Sequence, residues 1–227
     1  MIVLTGATGG IGKTVIPELL KLDAVGGLFN KTPPAATADS HAKFFKVDIT
    51  DRDAVRAFAQ EQRDALKKIT LIHFATASID GLAMTYDAES WKKVMDVNVN
   101  GNFNLTQALL PMMMRDSWGR IVHIASVVGG AGKAGTIAYS TSKAALLGMS
   151  RTLAKEYGRF NITSNVLTLG YFDVGLIYRL SEKDQSAIVD RIPSRRFGKV
   201  SNIVNAVSFL MASEYVNGAV LNIDGGL

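Results

Sequence analysis

The first twelve residues constrain the fold more than any other stretch of this chain. Ile2-Val3-Leu4 is an apolar run of strand length, and Thr5-Gly6-Ala7-Thr8-Gly9-Gly10-Ile11-Gly12 follows it directly. An amphipathic pattern then predicts a helix to about Leu22. A strand, a glycine-rich turn and a helix N-terminus in that order form the context of a dinucleotide site. Glycines let the backbone approach a pyrophosphate closely, and the first turn of the helix offers unpaired N–H groups and a partial positive charge. The spacing here is G-x-x-x-G-x-G rather than G-x-G-x-x-G.

The same strand-then-helix alternation continues to the end. Strands are predicted at Gly26–Asn30, Lys43–Val47, Leu71–Ala75, Gly119–Ile124, Asn161–Leu167 and Val220–Ile223. Helices are predicted from an Asp51 cap to about Leu66, from Ala88 to Arg115, from Ala138 to about Tyr157, and from a Ser201 cap to Ala212. Pro33–Ser40 reads as a polar loop and Val127–Gly135 as a glycine-rich one. The near-continuous apolar character of Leu71–Ala75 suits a parallel strand buried on both faces. Alternation without repeats or a linker predicts one domain over residues 1–227, built on a doubly wound parallel sheet. The weakly periodic stretch from Gly170 to Arg196, with a short helix starting at Ser181, is the natural substrate-covering insertion.

Composition narrows the chemistry. The chain has no cysteine among 227 residues, so thiolate catalysis, disulfides and cysteine-based zinc sites are excluded. His41, His73 and His123 do not stand at metal-ligand spacing, so no metal is expected, and His73 reads as a core or strand-end histidine. Lys and Arg outnumber Asp and Glu by 25 to 20. That excess fits an anionic ligand such as a phosphorylated cofactor, while no dense basic run interleaved with aromatics points to nucleic acid. No stretch approaches the roughly 20 apolar residues of a membrane span, and no signal-peptide core is evident, so a cytoplasmic protein is expected.

Two further features carry chemistry. Tyr139 and Lys143 stand four residues apart, on one face of their helix. A phenol has an ordinary pKa of about 10 and a nearby ammonium favours its anion, so the pair can exchange a proton with a carbonyl or alcohol. Asn98 sits mid-helix, where its propensity is poor, and this marks it for a polar task. Near the second strand end, Asn30 and Lys31 stand where an acid would hold the ribose 2′-hydroxyl of NAD. Lys31 suits a 2′-phosphate instead.

Together these residues resemble the short-chain dehydrogenase/reductase family, over essentially the whole chain. Its T-G-x-x-x-G-x-G motif matches Thr5 to Gly12, its Y-x-x-x-K matches Tyr139 to Lys143, and its catalytic serine and asparagine match Ser126 and Asn98. The resemblance implies a seven-stranded, mostly parallel Rossmann-like sheet of order 3-2-1-4-5-6-7 with helices on both faces. It also implies hydride transfer between a nicotinamide cofactor, NADP(H) rather than NAD(H), and a carbonyl or secondary alcohol. Tyr139 would be the general acid or base, Lys143 would lower its pKa and bind ribose, Ser126 would bind the substrate oxygen, and Asn98 would hold a water relaying protons to Lys143. The implied cofactor contacts are Thr5, Gly6, Thr8, Gly10, Ile11 and Gly12 in the turn, and Asn30, Lys31, Asp48 and Ile49 around the adenosine. Ala75, Thr76, Tyr139, Lys143, Gly170, Phe172 and Val174 would lie nearer the nicotinamide.

The pattern departs from the family at four places. His73-Phe74-Ala75-Thr76 replaces N-N-A-G, Leu169-Gly170 replaces P-G, Val174 replaces a threonine, and Gly9 lacks the basic side chain of many NADP-using members. Within the family the chain is most like the 3-oxoacyl-[acyl-carrier-protein] reductases. The substrate is thus expected to be a 3-oxoacyl thioester, with the acyl carrier protein as partner and Lys133 as one basic contact. A sugar, polyol or secondary-metabolite ketone, and a non-catalytic cofactor-binding module, are the alternatives. A homodimer or homotetramer packed through helices 88–115 and 138–157 is also implied.

Overall fold

Ile2–Thr5, the first strand (β1), is completely buried and pairs in parallel with a strand on each side. The computed structural model describes residues 1–34 and 41–227, apart from the side chains of Leu176 and Arg179. Positions 35–40 of the expected Pro33–Ser40 loop lie outside the described residues. Six more strands follow: Val25–Phe29 (β2), Ala42–Lys46 (β3), Ile69–His73 (β4), Gly119–Ser126 (β5), Ile162–Leu169 (β6) and Val220–Ile223 (β7). They form one sheet of order β3-β2-β1-β4-β5-β6-β7, parallel throughout. The expected fold class and strand order are therefore found, and the expected strand bounds agree to within two residues.

Alternation along each strand sends side chains to two apolar layers. Ile2, Leu4, Ile72, Val122 and Leu167 pack under α1 (Gly10–Leu19) on one face, with Ile203, Val207 and Leu210 of the C-terminal helix Val200–Ala212. Val3, Leu71 and Ile121 pack on the other face against α2 (Arg52–Glu61) and the helices of residues 101–157. The first helix ends at Leu19 and the second at Glu61, earlier than their apolar patterns suggest. Asp51 does cap α2, its carboxylate accepting from the backbone N–H groups of Asp53 and Ala54 at 2.9 and 3.1 Å.

The expected helix 88–115 is continuous but irregular. It consists of α3 (Ala88–Met95), a π-helical turn Asp96–Asn100, and α4 (Gly101–Arg115). A π turn inserts one extra residue and frees backbone groups, commonly at functional sites. The insertion also rotates the faces before and after it, so Trp91, which the helical spacing assigns to the core, is 38% exposed. Pro111 stands on the exposed side of α4, where the Gln107 carbonyl that loses its i+4 partner can meet solvent. Four-residue helix Val128–Ala131 (α5) interrupts the glycine-rich loop, and α6 runs from Ile137 to Tyr157. Ser181 caps α7 (Glu182–Arg191), accepting from Asp184 N–H at 3.2 Å. The last helix, α8 (Val200–Ala212), starts one residue before the expected Ser201 cap: Asn202 Oδ1 accepts the Lys199 N–H at 2.9 Å, so that asparagine closes the helix start instead.

Candidate active site

Strand order reverses between β1 and β4, and a groove opens there at the carboxyl ends of the strands, as expected of a doubly wound sheet. Thr5 Oγ1 accepts the Ala75 N–H at 3.0 Å and stitches the two strand ends together beneath it. Thr5 is itself fully buried, so it supports the groove rather than lining it. The groove encloses about 600 Å³.

The glycine turn forms one wall. Gly6 has φ +67°, a conformation that L side chains rarely adopt, and a Cβ on it would fall 2.7 Å from Ala75 N. A Cβ on Gly12 would fall 2.1 Å from Gly6 O, so only glycine closes the turn against the start of α1. The backbone is thus bare where a pyrophosphate would approach. Gly6, Thr8, Gly10, Ile11 and Gly12 all line the groove. So does Gly9, whose spacing position sequence reasoning noted only for its missing charge.

At the adenosine end, Asn30, Lys31, Asp48 and Ile49 come together as the sequence suggests. Asn30 Nδ2 donates to Asp48 Oδ2 at 2.7 Å, and Thr50 donates to Asp48 Oδ1 through its N–H at 2.9 Å and its hydroxyl at 2.8 Å. Partial burial would raise the Asp48 pKa, but these donors and the Lys31 charge outweigh it and hold the carboxyl below its usual range. Lys31 is exposed beside this anchored acid. Leu28, Phe29 and Val47 complete this end. Their signal in the sequence is their place at the carboxyl ends of β2 and β3.

At the opposite end Ser126, Tyr139 and Lys143 line the same groove, with Ala75, Thr76, Gly170 and Val174. Phe172 does not reach it. Its ring is buried under Gly198, with which it forms an isolated bridge, and its carbonyl accepts the Val174 N–H at 2.8 Å. Gly170 leaves room for Asp224, whose Cα would lie 2.8 Å from an added Cβ.

The electrostatics of the tyrosine differ from the expectation of a phenol lowered by its lysine. Burial pushes the Tyr139 phenol up, and a hydrogen bond with the Ser126 side chain opposes this. Lys143 lies with Nζ 5.6 Å from the Tyr139 ring centroid and donates instead to the Ile124 carbonyl at 2.7 Å. Burial lowers the Lys143 pKa from 10.5 to about 8, so near neutral pH it is still mainly an ammonium.

Asn98 is fully buried outside the groove surface, at the centre of the π turn. Its amide donates to the Ala77 carbonyl and to Ser142 Oγ, both at 2.8 Å, and its Oδ1 accepts the Ala77 N–H at 2.7 Å. Thr76, the residue that replaces a glycine, turns its hydroxyl onto the same Oδ1 at 3.3 Å. Asn98 carbonyl accepts from Asn102 Nδ2 at 2.8 Å. Asn98 therefore ties the Thr76–Ala77 segment to the turn of α6 that carries Lys143. Ser142 and Asn102 were missed by sequence reasoning, although Ser142 lies inside the Tyr139–Lys143 motif and Asn102 stands four residues after Asn98.

Beneath the site His73 and His123, partners in the β4–β5 register, stack with ring centroids 5.2 Å apart. Both are buried. Their Nε2 atoms hydrogen-bond with Thr106 Oγ1 at 3.0 Å and Ser164 Oγ at 3.2 Å. Burial foremost, and then the neighbouring positive charge, lowers both pKa values, that of His123 to about 3. They are neutral structural groups, in keeping with the core reading of His73.

Comparison with known proteins agrees with this geometry. The family model described as "short chain dehydrogenase" matches residues 1–185. Nodulation protein G of Rhizobium sp. (strain N33) is 34% identical over 99% of this chain and 95% of its own length. The 3-oxoacyl-[acyl-carrier-protein] reductases FabG of Thermotoga maritima and of Escherichia coli (strain K12) are 33% and 30% identical. Each alignment spans 99% of this chain, with 96% and 95% of the relatives. A solved structure titled "ElxO with NADP Bound" superposes with a TM-score of 0.91 at 23% identity, over 99% of this chain and 96% of that one, which shows the shared fold. The chain belongs to the short-chain dehydrogenase family and is an NAD(P)-dependent oxidoreductase acting at a carbonyl or alcohol carbon.

Proposed function

We propose that this protein reduces the keto group of a 3-oxoacyl thioester, with NADPH preferred to NADH. The observation that carries the reading is the convergence of Ser126, Tyr139 and Lys143 at one end of a groove whose other end is a glycine cradle. The relatives named 3-oxoacyl-[acyl-carrier-protein] reductases, similar over nearly the whole chain, support the substrate class. The cradle fits the cofactor: glycines at 6 and 12 that tolerate no Cβ, and Lys31 free to meet a 2′-phosphate. The nicotinamide, when bound, supplies the hydride to the carbonyl carbon.

The residues divide the remaining work. Tyr139 gives its proton to the substrate oxygen as negative charge develops there. Burial suits this task, because a phenol held up in pKa keeps its proton at neutral pH until an alkoxide, a far stronger base, demands it. Ser126 donates its one hydroxyl proton to that same oxygen. Lys143 places a positive charge near the phenolate and offers its remaining N–H groups to the ribose. Asn98 holds the α6 turn of Lys143 against Ala77, a positioning role beside the expected water contact. Residues 1–227 act as one domain, and Gly170–Arg196 covers the substrate. A cytoplasmic homotetramer and an acyl-carrier-protein partner complete the reading. Among the described residues no helix is long and apolar enough to cross a membrane.

Fluorescence titration with NADPH and NADH, followed by NADPH oxidation with acetoacetyl thioesters, tests it. Tighter NADPH binding and turnover of the thioester are expected. Tight binding with no turnover of any ketone would leave a binding module and overturn the catalytic reading.

A further inference from the structure

A second cavity, of about 480 Å³, opens on the other side of Ser126 from the glycine cradle. It shares Ser126 with the cofactor groove, so a carbonyl held by that hydroxyl has its substituents in this cavity. Val127, Val128, Leu147 and Ile188 give the wall an apolar character suited to a short carbon chain. Two cations, Lys133 and Arg191, stand in the same wall.

Both cations are held in place by their backbone and left unengaged at their charged ends. Lys133 follows Gly132, whose φ of +71° ends α5, and its carbonyl accepts from the Thr136 hydroxyl at 2.8 Å and the Thr136 N–H at 3.2 Å. Arg191 is the last residue of α7, three after Ile188 and so on the same helix face, and the buried Ile192 fixes the helix end. The acid next to Arg191 is spent elsewhere: Asp190 pairs with Arg195 at 3.3 Å. Asp224, whose carboxylate side chain also lines the wall, accepts the Gly226 N–H at 2.9 Å. Among the described residues neither Lys133 nor Arg191 has an ion pair or a side-chain hydrogen bond.

We infer that the substrate of this enzyme carries an anionic group, a carboxylate or a phosphate, which Arg191 and Lys133 bind in the cavity beside Ser126. The inference rests on the carbonyl-reductase reading above. Arg191 offers a planar fork matched to either anion, and Lys133 adds a point charge from the facing loop. An apolar stem between the carbonyl and the anion would lie along the Val127–Ile188 wall. Recognition of this kind orients the keto carbon and selects among carbonyl compounds of similar size.

The test measures NADPH-dependent kcat/KM for two matched pairs. One is 5-oxohexanoate against its ethyl ester, which isolates a carboxylate. The other is acetoacetyl-CoA against the uncharged N-acetylcysteamine thioester, which isolates a phosphate-bearing handle. The charged member of at least one pair is expected to be favoured, and which pair shows it identifies the anion. That preference should fall at least tenfold in Arg191→Ala and Lys133→Ala, reverse in Arg191→Glu, and survive in part in Arg191→Lys. It should also shrink as salt is raised. Turnover of the uncharged members with no charge preference, or a preference untouched by these substitutions, would overturn the inference while leaving the reductase reading standing. Failure to reduce any of the four compounds despite NADPH binding would overturn both.

Discussion

Asn98 Nδ2 lies 2.8 Å from Ser142 Oγ, and through this bond the π turn of the long helix is fastened to the residue preceding Lys143. The bond joins two elements that are distant in sequence. Asn98→Ala removes it together with both bonds to Ala77: the Ser142 hydroxyl keeps the Tyr139 carbonyl as its acceptor, while the part-buried Ala77 N–H and carbonyl lose their partner. Together these losses cost about 1–3 kcal/mol. The variant is expected to lose roughly that much stability in urea denaturation and to lower kcat more than it raises the KM for NADPH. Asn98→Asp keeps one acceptor and should fall between the two.

Tyr139→Phe keeps the ring and removes the transferable proton. Turnover should drop about 10²–10⁴-fold, the usual worth of a positioned general acid. The dissociation constant for NADPH should stay within about threefold of the parent. Steady-state kinetics and fluorescence titration on the same preparation check both halves. Retained turnover would remove Tyr139 from the chemistry.

The buried lysine makes its own mark on stability. In the folded protein Lys143 titrates near 8, below its ordinary 10.5. Below pH 8 both folded and unfolded states hold the proton, and the burial penalty is fully present. Between about 8 and 10.5 the unfolded state holds more protons, so this group's contribution rises with pH. Relative to Lys143→Met, the parent should gain on the order of 3 kcal/mol across that window, compared by paired denaturation curves of the apoprotein. A constant difference between the two proteins would contradict the burial described for Lys143.

His73 and His123 act at the other end of the pH scale. Both are held neutral by burial, with the folded pKa of His123 near 3 against an ordinary 6.5. The unfolded state therefore takes up more protons below about 6.5, and stability falls as pH is lowered from there toward 3. Two such groups give a slope of up to roughly 2.7 kcal/mol per pH unit, and His123→Asn should remove about half of it. Urea midpoints at pH 4.5, 5.5 and 7 read the slope directly.

The turn that opens the chain is equally specific. Gly12→Ala would drive a Cβ to 2.1 Å from the Gly6 carbonyl. The start of α1 must move, which should destabilise the fold by about 1–3 kcal/mol and abolish detectable NADPH binding. Asp51→Ala, which removes only a cap on α2, should cost about 1 kcal/mol and leave binding unchanged.

Local chemistry made much of this molecule readable in its sequence. The parallel strands are short apolar runs bounded by polar turns, so β1, β4 and β7 could be placed within two residues. Gly6 and Gly12 were readable because the turn permits nothing else. What the sequence concealed depends on geometry between distant segments. Periodicity across 88–115 suggests one regular helix with Trp91 inside, because a π turn has no composition of its own. Asn98, Asn102 and Thr106 stand four apart, a polar stripe open to view, but its meaning depends on Ser142 and His73, which only the folded chain brings near. Phe172 enters the cofactor contacts only through the family resemblance, and its ring lies in the core beside Gly198. The Tyr139 pKa shows the same limit: spacing reveals the ammonium nearby but not the burial that raises the phenol against its Ser126 hydrogen bond.

The π turn at Asp96–Asn100 makes the site depend on counting as well as on chemistry. A regular helix advances 100° per residue, so the extra residue sets Asn98 and everything after it one step out of phase with α3. Deleting any one residue between Asp96 and Asn100 would restore a regular helix and improve its hydrogen bonding. It would also swing the asparagine, or whatever took its place, away from Ser142 and Ala77. The length of this helix between Val94 and Leu105 is therefore fixed. A shortened variant that folds more tightly but no longer turns over would make visible a constraint that no side chain in the segment carries alone.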